Sequence, residues 1–166
     1  HTLERWLGNR APAVAPDEAA HRVLLFPDTY TNYTNPAPGK AAVRTLEAAG
    51  CHVRLAEDVA PSGRAAFSTG RLDLARERAE RNVETLAPKV RDGWSVLFVE
   101  PSDAVMFQDE YADLLSGEDV LEVGAATYGV MEFLDAHWLD EELETTASGR
   151  LAYHGHCNQT AINRDH

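Results

Sequence analysis

Lysine is almost missing from this chain: of 15 basic residues only Lys40 and Lys89 are lysines, set against 27 acidic ones. The formal net charge is −12. An acidic, lysine-poor surface repels polyphosphate and anionic lipid, so nucleic acid is excluded as an expected partner. The same balance is the habit of proteins from salt-loving organisms, and a halophilic, acidic protein is the expectation. Cysteine is equally scarce, since Cys51 and Cys157 alone build no disulfide framework. No stretch approaches the roughly 18 apolar residues of a membrane span, and the opening "HTLERWLGNR" has no apolar signal-peptide core. A soluble, cytoplasmic chain without a transmembrane segment is expected.

Two phosphate signatures are also lacking. The loop "PSGRAAFSTG" (61–70) runs into a strongly helical stretch, and glycine-rich loops at helix starts bind anions through free N–H groups and the helix dipole. A Walker loop needs G-x-x-x-x-G-K-[ST], yet Gly63 and Gly70 have other spacing and no lysine follows. The G-x-G-x-x-G spacing is absent too. An anion site at Ser62, Gly63 and Arg64 therefore stands only as an alternative.

What is present is an alternation of strands and helices. Apolar runs at 22–28 ("RVLLFPD"), 52–56 ("HVRLA") and 94–100 ("WSVLFVE") predict buried strands. A fourth is expected at 120–126 ("VLEVGAA") and a last at 149–157 ("GRLAYHGHC"). Helices are predicted over 40–50, with Gly50 as stop signal, and over 71–86, with Leu72, Leu74, Ala75, Ala79, Val83 and Leu86 at helical spacing. A third begins at Pro101 with Ser102 as N-cap. A fourth covers 128–144, with Met131, Leu134 and Trp138 packing inward. Residues 1–21, containing "APAVAP", read as an extended linker that follows the end of a helix.

Such an alternation predicts an α/β fold with an open, mainly parallel sheet and helices on both faces, three layers in all. Binding groups in these sheets gather where strands end at their carboxyl edge. That rim is expected to collect Asp28, Ser62, Asp103, His154, His156 and Cys157. "HGHC" offers imidazoles and a thiol, ordinary zinc or iron ligands, and Asp103 is a fourth candidate donor. No C-x-x-C pair supports it, and Cys157 lacks a nucleophile elbow for covalent chemistry. Cys51, between a helix and a strand, reads as a small buried hydrophobe.

The order of segments resembles the cysteine-rich Cys-Cys-Gly module at the C-terminal end of FAD-linked oxidases fused to iron–sulfur domains. D-lactate and glycolate dehydrogenase-like flavoproteins carry it, as do the iron–sulfur subunits of anaerobic glycerol-3-phosphate dehydrogenase. The resemblance rests on "LERWLGNRAP", "VLLFPDTYTNYTNPAPGKAAVRTLEAAGCHV", "SGRAAFSTGRLDLARE", "VEPSDAVMFQDEYADLL" and "YHGHCNQTA". In that frame Gly63, Arg64, Ser68 and Gly70 keep the family pattern, while Pro61 and Ser62 stand at the two cysteine positions. Asp103 occupies a further cysteine position, Cys157 keeps one, and Asn158 replaces a histidine.

The resemblance implies a parent with upstream FAD and ferredoxin-like domains or subunits, which pass electrons from flavin through iron–sulfur clusters. Residues 1–21 would then be the connector from an upstream domain and 22–150 the first half-module. Residues 151–166 would begin a second, truncated one. Attachment to the inner membrane face would come through partners. Clusters are held by thiolates, typically four per cubane, so this segment alone is expected to carry no cofactor. Its role would be structural or docking rather than catalytic.

Overall fold

β1 (His21–Leu25) lies inside the sheet, and its last three residues are buried on both faces, Leu24 on one and Val23 and Leu25 on the other. β2 (Cys51–Leu55) pairs with it on one side and β3 (Trp94–Phe98) on the other, and β4 (Thr127–Gly129) pairs with β3. All pairings are parallel, in the order β2-β1-β3-β4. The computed structural model describes residues 2–138, 149–150 and 152–162. The open, parallel α/β sheet read from the sequence is the one observed.

Side-chain alternation divides the core in two. Val23, Leu25, Val53 and Leu97 face α1 (Leu3–Gly8), α2 (Pro36–Ala48) and α8 (Val130–Trp138). Leu24, Phe26, Val96 and Phe98 face α4 (Leu72–Arg91) and the segment that follows β3. That segment comprises α5 (Pro101–Val105), a π-helical turn at Met106–Glu110, α6 (Tyr111–Leu114) and α7 (Glu118–Ala125). Phe26, Phe98 and Phe107 pack with ring centroids 4.6 to 5.2 Å apart, Phe26 stacked on Phe98 and edge-on to Phe107.

Several elements differ from the sequence expectation. Residues 3–8 are not extended: Thr2 caps α1, and Leu3 and Leu7 are buried in the core beside Val43 and Leu46. The 120–126 stretch is mostly helical, because Val120, Val123 and Gly124 fall on one buried helical face. Gly124 serves close approach there, since a Cβ would stand 3.0 Å from the Phe107 carbonyl oxygen. The strand follows at Thr127–Gly129. Residues 152–156 join no ladder and Tyr153 is 68 % exposed, so the described part of "GRLAYHGHC" has no buried face to make it a strand. Cys157 instead opens α9 (Cys157–Ala161).

Helix ends also shift. α2 starts at Pro36 under an Asn35 cap, after a π-helical turn at Tyr30–Thr34. Glu100, not Ser102, caps α5: its carboxylate accepts from the Ser102 N–H at 3.2 Å and from the Ser102 hydroxyl at 2.7 Å. On α8, Phe133 and Leu134 are buried, whereas Met131 points to solvent. The side chain of Trp138 lies outside the described residues.

Candidate functional site

The strand order reverses between β1 and β3: from β1 the chain crosses to β2 on one side, then returns to β3 on the other. Connections leaving neighbouring strands in opposite directions open a crevice at the carboxyl edge, which is where ligands of such sheets bind. Asp28 lies just after β1 and Asp103 just after β3, so the chain places one carboxyl on each side of the crevice. A cavity of about 500 Å³ lies here, lined by both.

Asp28 is 2 % exposed. Its Oδ1 accepts the Thr31 N–H at 2.7 Å, and its backbone carbonyl accepts the Asn32 N–H at 2.9 Å, leading into the π-helical turn that the Asn35 N–H closes on the Tyr30 carbonyl at 2.9 Å. Its Oδ2 is buried and has no hydrogen-bond partner among the described residues. Burial pushes the Asp28 carboxyl above the usual range, opposed by the Thr31 hydrogen bonds and reinforced by the charge of Glu100.

Ser62 is brought to the same edge by the loop after β2, and its hydroxyl donates to Asp103 Oδ1. Burial raises the Asp103 pKa to about 6. The Ser62 hydrogen bond opposes that rise, Asp28 and Glu100 add to it, and Arg64 works against it.

The loop is held rigidly. Gly63 sits at φ +91°, a left-handed conformation that glycine adopts without cost, and thereby starts α3 (Arg64–Ser68). Beneath it, the Tyr111 hydroxyl donates to the Ser62 carbonyl at 2.8 Å and accepts from Asn82 Nδ2 at 2.9 Å. Asn82 Oδ1 in turn accepts the Ala60 N–H at 2.8 Å. Arg64 is committed elsewhere: Nε donates to the Ser102 carbonyl at 3.1 Å and Nη2 pairs with Glu110. A guanidinium so engaged holds α3 against α5 and the π-helical turn.

The second group of expected residues is looser. His156 caps α9 by accepting the Asn158 N–H at 3.3 Å, and its Nε2 stands 3.9 Å from Glu100 Oε1. His154 and Cys157 are exposed. Among the described residues no three His, Cys, Asp or Glu side chains are grouped so as to hold a metal ion. Asp28, Ser62 and Asp103 are thus gathered around one crevice, whereas His154, His156 and Cys157 are not among the residues that line it.

Sequence reasoning does not single out Asn32, Glu100, Asn82 and Tyr111. Glu100 and Asn32 are legible as polar residues that follow strands closely. Asn82 carries a weaker signal, an amide on the apolar face of α4 one residue before Val83. Tyr111 carries none, because a buried tyrosine looks like any other core aromatic.

No family model and no solved structure matches the chain. It is similar to two lactate utilization A proteins. The one from Shouchella clausii is 26% identical over 148 residues, covering 86% of this chain and 60% of that protein. The one from Geobacillus kaustophilus is 29% identical over 146 residues, covering 85% and 59%. It is also similar to a subunit of the anaerobic glycerol-3-phosphate dehydrogenase of Escherichia coli K12, 28% identical over 116 residues, covering 69% of this chain and 29% of that protein. The chain thus spans about 60% of the lactate utilization proteins and less of the dehydrogenase component. Among the described residues no helix is long and apolar enough to cross a membrane.

Proposed function

We propose that this chain is part of a FAD-linked iron–sulfur oxidoreductase of the 2-hydroxy-acid or glycerol-3-phosphate type, in which this half-module scaffolds and docks rather than carries electrons. Its similarity to lactate utilization and glycerol-3-phosphate dehydrogenase proteins supports the reaction class. The observation that carries the role is the contact between Ser62 and Asp103. The family resemblance assigns both positions to cluster cysteines. They meet here, although they are 41 residues apart in the chain.

The residues at the crevice do not fit an iron–sulfur cluster. Pro61 offers no ligand, the Ser62 hydroxyl is a poor one, and Asp103 is a hard carboxylate where soft thiolate is needed. Cys51 begins β2, at the opposite edge of the sheet, and burial pushes its thiol up to about 11, so it keeps its proton. What remains is a rigid frame. Gly63 bends the loop, Tyr111 and Asn82 pin its backbone, and Glu100 caps the helix that presents Asp103.

Anaerobic incubation with ferrous iron and sulfide tests the reading. The chain is expected to gain no visible thiolate-to-iron absorption, while the triple variant Pro61→Cys, Ser62→Cys, Asp103→Cys gains it. A brown unmodified chain would overturn the non-redox role. A folded triple variant that stays colourless would overturn the assignment of these loops to a cluster frame. Docking is read separately, by co-purification with the parent's flavin-bearing and ferredoxin-like parts, and failure to co-purify argues against it.

A further inference from the structure

The crevice has a second property, independent of the lost thiolates: every charged group that lines it is an acceptor. Asp28, Asp103, Glu4, Glu57 and Asp58 all line it, and among the described residues no lysine or arginine does. Asp28 is the decisive member. A carboxylate oxygen that is buried and makes no hydrogen bond costs free energy that an incoming donor recovers, and Asp28 Oδ2 is such an atom. Burial runs in a gradient along the cavity. Asp28, Asn32 and Ser62 are buried, Asp103 is half-buried, and Glu4, Glu57 and Asp58 are exposed at the mouth.

The arrangement selects among cations. A metal ion needs several oxygens converging within about 2.0–2.6 Å of one point, and among the described residues no three such side chains are so grouped. An ammonium is a compact, strongly hydrated charge with three donors, whereas a guanidinium is weakly hydrated and spreads five donors over a plane. Acceptors scattered along a cavity suit the second. Tyr33, 68 % exposed, also lines the cavity and offers a ring face on which a planar cation stacks.

We propose that the crevice between β1 and β3 is a guanidinium-binding site, with Asp28 receiving the cation at the buried end and Tyr33 stacking on it at the mouth. The chemistry is shared by an arginine side chain of a partner protein and by a free alkylguanidine. It does not depend on the oxidoreductase reading, because it rests on the acceptors alone.

Titration of the folded chain with ethylguanidinium, followed by calorimetry and by the amide signals of Thr31 and Asn32, tests it. Saturable binding is expected, at least ten-fold tighter than for the neutral isostere ethylurea, and weakened at least ten-fold in Asp28→Asn. Equal affinity for the two compounds overturns the site, as does unchanged affinity in a folded Asp28→Asn. Should Asp28→Asn fail to fold, the exposed pair Glu57→Gln/Asp58→Asn serves instead. A several-fold loss is then expected, and no loss overturns the proposal. Displacement of ethylguanidinium by equimolar Mg²⁺ would replace it with a metal site. An acetyl-Gly-Arg-Gly-amide peptide binding more tightly than ethylguanidinium assigns the source to a protein partner, and the reverse order assigns it to a free guanidine.

Discussion

The hydroxyl of Tyr111 lies 2.8 Å from the carbonyl oxygen of Ser62 and donates to it, from within the core, so the loop after β2 is fastened from below as well as by its own turn, in which the Ser62 hydroxyl accepts the Arg64 N–H at 3.2 Å. Tyr111 is fully buried. Burial and the nearby Asp103 charge raise its pKa, so the proton that makes this bond stays in place. Tyr111→Phe keeps the ring packing against Phe107 but strands the Ser62 carbonyl and one Asn82 donor. A loss of about 1–3 kcal/mol is expected from chemical denaturation. An unchanged midpoint would show that the loop holds itself.

Asp103 links stability to pH in an unusual direction. Its folded pKa, about 6, lies above the ordinary value of 3.8. The folded state therefore holds its proton more tightly, and this stabilising contribution is fully present below about pH 4. It is lost as pH rises through about 6, amounting to something on the order of 3 kcal/mol. Asp103→Asn, which carries no proton to lose, is expected to flatten that slope in denaturation curves recorded between about pH 4 and 7. A slope identical to that of the unmodified chain would remove Asp103 as its source.

The two cysteines should react at very different rates. Cys51 is 1 % exposed and its thiol is raised to about 11, while Cys157 is exposed on α9. Thiolate is the nucleophile, so both burial and pKa protect Cys51. A disulfide reagent is expected to titrate one thiol promptly under native conditions and the second only with unfolding. Two equally fast thiols would contradict the packing of β2 against α2.

Leu3 reports on the N-terminal segment. It is fully buried beside Leu46 and Val43, and α1 also donates the Glu4 N–H to Asn32 Oδ1 at 3.0 Å, at the wall of the crevice. Leu3→Ala is expected to cost about 2–4 kcal/mol, read from the shift of the denaturation midpoint. A cost near zero would return residues 3–8 to the status of a connector.

Legibility varies with the range of the interaction. Val23, Leu25, Val96 and Phe98 announce buried strands by composition alone, and Gly63 and Gly70 announce turns, because strand burial and left-handed backbone are local demands. Asp28, Ser62 and Asp103 follow from one rule, that polar residues after parallel strands share an edge. The 120–126 stretch misleads because Gly124 looks like a strand interruption. It is a contact with the Phe107 carbonyl, which lies elsewhere in the chain. Thr2 and Leu3 hide a capped helix with one buried face behind a proline-rich neighbour.

By itself, the sequence determined the layer architecture, the parallel pairing and the placing of Asp28, Ser62 and Asp103 on one polar rim, since each follows from periodicity and residue type. Only the tertiary structure decided the strand order β2-β1-β3-β4, which sets the crevice between Asp28 and Asp103. It also decided that Asp28 Oδ2 is buried with no hydrogen-bond partner among the described residues. The reason is physical: an atom's burial and its lack of a partner depend on what other segments bring near it. No window of neighbouring residues contains that information.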